Sequence, residues 1–130
     1  MNGKELITTY PLATEVVREW FLDKMGKSIK ADEVPDDFKE YIKRQGISDY
    51  MMESIIDTHP RNLFDIFDEN NIYIDIRVCR IHKTDVVFIY KILSGDSKGF
   101  SIEFYSHRKD AEQVAVCDAF KLLNEKLCKK

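Results

Sequence analysis

Histidine, cysteine and paired carboxylates are the side chains with which a chain of this kind could do acid–base, nucleophilic or metal chemistry, and here they are few and scattered. The three histidines, His59, His82 and His107, stand far apart, at expected turns and at a helix start. Such positions commonly hold solvated polar residues. Cys79-x-x-His82 has metal-like spacing. A zinc site needs four nitrogen or sulfur ligands on one point, and the residues left to complete it, His107, Cys117 and Cys128, cannot all face that point from a single helix. The acidic pairs Asp32-Glu33, Asp36-Asp37 and Asp68-Glu69 lack the alternating oxygen ligands and central glycine of a calcium loop, and fit helix starts and ends. Gly-x-Gly-x-x-Gly, Gly-x-x-x-x-Gly-Lys-Ser/Thr and Gly-x-Ser-x-Gly do not occur, so the usual phosphate-cradling loops and nucleophile elbow are missing. The expectation is a non-enzymatic protein with no catalytic residue, no cofactor and no metal.

The composition sets the class. At 130 residues, 44% hydrophobic and 33% charged, the chain is expected to fold as one domain over residues 1–130, with a helical part at 1–69 and a β-β-β-α part at 70–130. Its strongest apolar run, Val86–Tyr90, is far below the roughly 20 residues of a membrane-spanning helix, and the opening residues have no secretory pattern, so no membrane association is expected. Three cysteines without a Cys-x-x-Cys pair suit a reducing, cytoplasmic setting. Charge is uneven. Residues 1–76 hold 9 Lys and Arg against 16 Asp and Glu, a net of −7, whereas residues 77–130 hold 11 against 7, a net of +4.

The elements that would position these residues follow from periodicity. Pro11 opens a helix in which Leu12, Val16 and Trp20, with Val17, Phe21 and Met25, recur at helical spacing until Gly26. A second helix spans Pro35 to Gly46, a third follows Ser48 with Met51, Met52, Ile55 and Ile56, and a short one covers Arg61–Glu69. After Asn70-Asn71 the period falls to two. Strands are expected over 72–80, 86–93 and 100–105, the last after a turn at Ser94–Gly99, and a closing helix over 107–127. The fold class expected is α+β: N-terminal helices, then a three-stranded antiparallel meander, with the C-terminal helix packed on the sheet.

Two surfaces suggest themselves. Trp20, Phe21, Met51 and Met52 are bulkier than a thin helical layer readily buries, which points to protein–protein interaction or self-association. The basic second half offers Arg77, Arg80, His82, Lys83, Lys98, Arg108 and Lys109 to a nucleic acid, with Tyr73 on the same strand face as Arg77 as a stacking surface.

The segment Arg108-Lys109-Asp110-Ala111-Glu112-Gln113-Val114-Ala115, continuing to Leu122-Leu123, resembles the last helix of the double-stranded-RNA-binding domain. The order helix, three strands, helix over residues 61–123 resembles that fold too. The resemblance implies phosphate contacts by Arg108 and Lys109 and a minor-groove contact by His82. Glu112 stands where the family has a further basic residue, and Arg80-Ile81 replaces the Gly-Pro of the histidine loop. The chain also looks like the small α+β proteins of unassigned activity common in phages and mobile elements.

Overall fold

Asn2 opens the first helix: its side-chain oxygen accepts a hydrogen bond from the Glu5 amide at 2.9 Å, satisfying one of the donors that every helix start leaves without an intrahelical partner. The computed structural model describes residues 2–28, 48–81, 83, 85–95, 97–100 and 103–129. Among them are five α-helices: α1 (Gly3–Thr9), α2 (Pro11–Ser28), α3 (Asp49–Thr58), α4 (Phe64–Glu69) and α5 (Arg108–Cys128). A 3-10 turn, Pro60–Leu63, leads into α4. The helix expected over Pro35–Gly46 lies outside the described residues. Gly26 does not end α2, which continues to Ser28.

Close backbone approach sets how the helical half packs. A Cβ on Gly3 would stand 2.8 Å from the Glu53 carbonyl oxygen, so only glycine lets the start of α1 lie against α3. The Gly3 amide donates to Asp57 Oδ1 at 2.7 Å, which fixes that approach. Ser48 caps α3, its hydroxyl accepting from the Met51 amide at 3.2 Å. The amides of Leu12 and Ala13 both donate to Asn124 Oδ1, at 3.1 and 3.2 Å, so α5 supplies the cap for α2.

Asn71, at φ +62°, makes the sharp exit from α4, a left-handed conformation that asparagine tolerates better than most residues. Strand β1 (Ile72–Arg80) then pairs antiparallel with β2 (Val86–Ser94) along its whole length, Ile76 opposite Tyr90. The α+β class holds, but the meander expected from the sequence is overturned. The extended pairing is two-stranded, nine residues against nine. The third segment, β3 (Ser97–Phe100), adds only four residues, pairing Ser97 with Ser94 and Phe100 with Lys91. Beyond it, Glu103 and Phe104 lie in no strand, and Tyr105 makes a single isolated bridge to Phe88. The reason is the turn. Composition suggests a six-residue loop at 94–99, whereas Gly95 takes φ +58° and the chain reverses between Ser94 and Ser97, so the third strand starts three residues earlier than expected and its ladder with β2 ends at Phe100.

Even-numbered residues of β1 and β2 face α5. Ile72, Tyr90 and Ile92 are buried there, Ile74 and Ile76 half-buried. Helix α5 meets them with Ala111, Ala115 and Ala119, four apart and all fully buried, which lets the helix lie close to the sheet. Val116, Phe120 and Leu123 extend the same face toward Leu6, Val17, Met52, Ile56 and Phe67. Phe67 and Phe120 meet edge to face, ring centres 5.5 Å apart.

Replacing Gly3 by alanine should lower stability by about 1–3 kcal/mol, the usual cost of overpacking. Gly99→Ala, whose Cβ would have no neighbour nearer than 4.0 Å, should leave it within about 0.5 kcal/mol. Urea denaturation of the two variants measures the contrast.

Candidate binding surface at the hairpin end

Helix α5 does not cover the far end of the hairpin it packs on. Arg108, its first residue, lays its guanidinium over the Phe88 ring, 5.1 Å from the centroid. Beyond that contact the helix-facing register continues into solvent. Val78, opposite Phe88, is 54% exposed and Val86, opposite Arg80, 40%. Ile81, whose amide donates to the Asp85 carbonyl at 3.1 Å where the hairpin closes, is 52% exposed. Phe104, next to the residue that exchanges both backbone hydrogen bonds with Phe88, is 66% exposed. Four large apolar side chains thus stand in water around one strand end.

Cations border them. Arg80, Lys83, Arg108 and Lys109 are exposed at this end, together with Asp85, Glu103 and Asp110. The seven basic residues singled out in the sequence are therefore only partly brought together. Arg77 is on the opposite sheet face and pairs with Asp75 at 2.8 Å. The backbone of Lys98 pairs with Leu93, five residues along β2 from Phe88, about 17 Å away. His82 lies outside the described residues.

The four residues proposed from the helical half also separate. Met52 is fully buried and belongs to the core. Met51 beside it is 42% exposed. Trp20 and Phe21 are half-buried, packed against the core and each other with ring centres 5.2 Å apart. The Trp20 indole N–H donates to Glu69 at 2.7 Å, and Lys24 lies over the ring. These contacts account for the tryptophan as part of the junction between α2 and α4.

Two polar contacts anchor the surface from beneath. Glu112, nearly buried, accepts from Arg61 Nη2 at 2.6 Å and Nε at 3.1 Å. Its carboxylate is thus turned away from the exposed start of α5, where the sequence placed it among the phosphate-facing positions. The signal was available: Glu112, Val116, Ala119 and Leu123 repeat at helical spacing and form one buried stripe. The Tyr90 hydroxyl donates to Asp118, joining the middle of β2 to α5, and the Tyr105 ring lies 6.3 Å from Tyr90. Burial, helped by Asp118, raises the Tyr90 hydroxyl well above its usual value near 10. Burial also raises Tyr105, with Glu103 adding to the effect. Cys117, half-buried, is raised by burial, while Cys128 is exposed. Among the described residues no three His, Cys, Asp or Glu side chains come together as metal ligands would, and no helix is long and apolar enough to cross a membrane.

Compared with known proteins, the chain matches no family model, no curated protein and no solved structure.

A tyrosine raised in the folded state holds its proton more tightly there, so its contribution to stability is complete below pH 10 and is lost as pH climbs above that value. Ultraviolet titration of the folded protein should show Tyr90 and Tyr105 ionising late. Tyr90→Phe should remove one of them and flatten the alkaline fall in stability. It should also cost about 1–2 kcal/mol at neutral pH through the lost hydrogen bond to Asp118. Arg61→Ala should cost more than Glu112→Gln, about 2 kcal/mol by chemical denaturation, because it strands a nearly buried carboxylate.

Proposed function

We propose that the chain is a non-enzymatic binding module whose partner is another protein, held at the hairpin end. One observation carries this reading: Val78, Ile81, Val86 and Phe104, each 40–66% exposed, all lie toward the hairpin end, Val78 and Val86 on the helix-facing register and Ile81 on the other. Exposed apolar groups bordered by charge are the composition of a protein-binding patch. The bordering Arg80, Lys83 and Arg108 favour a partner segment that combines apolar residues with carboxylates. The three cysteines, none of them in a disulfide, suit work in a reducing compartment such as the cytoplasm.

The helical-half surface is the weaker form of this reading. Met52 is buried, and Trp20 has its partners within the fold, while Met51 and the 79%-exposed Tyr50 on α3 and Leu12 on α2 are its outward apolar residues.

A second reading is binding of duplex nucleic acid, as the resemblance to the double-stranded-RNA-binding domain implies. What favours it is the exposed pair Arg108 and Lys109 at the dipole-positive start of a 21-residue helix, with Arg80 and Lys83 at the same end. The inward turn of Glu112 takes a negative charge away from that set.

A photo-crosslinker at position 104, introduced in the native host, should yield a discrete protein adduct that Ile81→Asp abolishes while circular dichroism stays unchanged. Absence of any adduct, or an adduct indifferent to Ile81→Asp, overturns the protein-binding reading. For the second reading, duplex RNA or DNA should shift in a gel at low salt. The shift should weaken steeply with added salt and vanish in Arg108→Glu/Lys109→Glu. No shift well above micromolar protein removes it.

A further inference from the structure

Strand β1 has β2 on one side and, among the described residues, no strand on the other. Which of its backbone groups face that open side follows from the ladder. Ile81 donates to Asp85 toward β2, and in antiparallel pairing alternate residues direct both backbone groups to the same neighbour, so Cys79, Arg77, Asp75 and Tyr73 also point to β2. Phe88, opposite Val78, provides an independent check. It exchanges both of its hydrogen bonds with Tyr105 on the far side of β2, so the Val78–Phe88 pair is one that points away from the β1–β2 seam. Ile74, Ile76, Val78 and Arg80 therefore present their N–H and C=O groups to the open edge. Such a row is a template for another strand, and proteins normally blunt it with charge.

Here the charges do the opposite of blunting when the incoming strand is a second copy. An antiparallel pairing of β1 with itself about Ile76 places Ile76 against Ile76 and Ile74 against Val78, each a pair that exchanges backbone hydrogen bonds. Asp75 then falls opposite Arg77 on both sides of the axis, in the closer kind of pair where side chains meet. Both side chains are exposed, and within one chain they already lie 2.8 Å apart, so the charges are available to the same outer surface. Axes at Ile74 or Val78 satisfy the backbone equally but set Asp75 against Tyr73 or Ile81 and pair no opposite charges. A two-fold contact must be self-complementary, residue i meeting j and j meeting i, and the Asp75-Ile76-Arg77 sequence meets that requirement.

We propose that β1 is a self-association edge through which two copies pair antiparallel about Ile76, joining their sheets into one. This deepens the protein-binding reading by naming a second copy as one partner, and its central pairs, 74 with 78, 75 with 77 and 76 with 76, involve neither Ile81 nor Phe104.

Sedimentation equilibrium of the whole chain tests it. The protein should dimerise; Asp75→Arg, which sets arginine against arginine twice, should weaken the dimer at least tenfold while circular dichroism shows a folded domain. Asp75→Arg/Arg77→Asp restores the pairing with signs exchanged and should recover the dimer. The register has its own test in Tyr73→Cys. Position 73 faces Cys79 of the second copy in this pairing, at a Cα separation of about 4.5 Å, within disulfide range, whereas the chain's own Cys79 is six residues, about 20 Å, along the strand. Mild oxidation should therefore give a covalent dimer whose 73–79 link is identified by peptide mapping. A monomer up to several hundred micromolar, a dimer unaffected by Asp75→Arg, or a failure of the double exchange to recover it overturns the proposal. Ile81→Asp should leave the dimer intact, so loss of the hairpin-end adduct and loss of the dimer are separate results.

Discussion

The close approach of α5 to the sheet is the constraint on which the rest of the structure depends. It is made possible by Ala111, Ala115 and Ala119, whose small side chains form a continuous strip with nothing between the helix and the paired strands. A larger residue at any of them would lift the helix, separating Tyr90 from Asp118 and Phe120 from Phe67. The buried Glu112 depends on it as well, since Arg61 reaches its carboxylate only while α5 is held down against the 3-10 turn. In a low-dielectric setting such a carboxylate is tolerated because its partner donates twice to one oxygen. The candidate surface is a by-product of the same geometry. Helix α5 begins at Phe88, and what lies beyond that point on the sheet is left in water.

Periodicity made much of this legible in the sequence. The change from helical spacing to alternation at Asn70-Asn71, the ends of β1 and the start of β2 are local signals, set by side-chain type and by the left-handed exit at Asn71. Why β3 escaped is equally physical. Residues 100–104 alternate as a strand does, but where pairing starts is set by the preceding turn, and a reversal with Gly95 at positive φ brings it forward to Ser97, a shortening that composition does not reveal. Met52 and Glu112 show the complementary lesson. Each was classed by chemical type, as interface methionine and exposed carboxylate, although each lies on the buried stripe of its helix, with Ile56 in one case and Val116 in the other. For residues on a well-defined helical face, position outweighs polarity.

The candidate surface was less accessible to reasoning from sequence because it is made by an absence of cover. Val78 and Val86 share the β-branched apolar character and the register of the buried Ile72 and Ile92, and nothing local marks them as exposed. They differ in lying beyond the helix end. The basic residues behave similarly: Arg80 and Arg108 lie at the same end of the hairpin although 28 positions separate them in the chain, while Arg77, only three from Arg80, is directed to the other side of the sheet by strand alternation.

The cap that Asn124 places on α2 reaches across 112 positions of chain. The first amides of α2 therefore have no side-chain partner during the time a ribosome takes to emit the rest of the sequence. At about 5–20 residues per second that interval is several seconds or more, long compared with the microseconds a helix needs to form. In the growing chain α2 is a helix without its fixed start, free to fray until α5 emerges. The order of synthesis thus leaves the start of α2 without its side-chain cap until α5 docks.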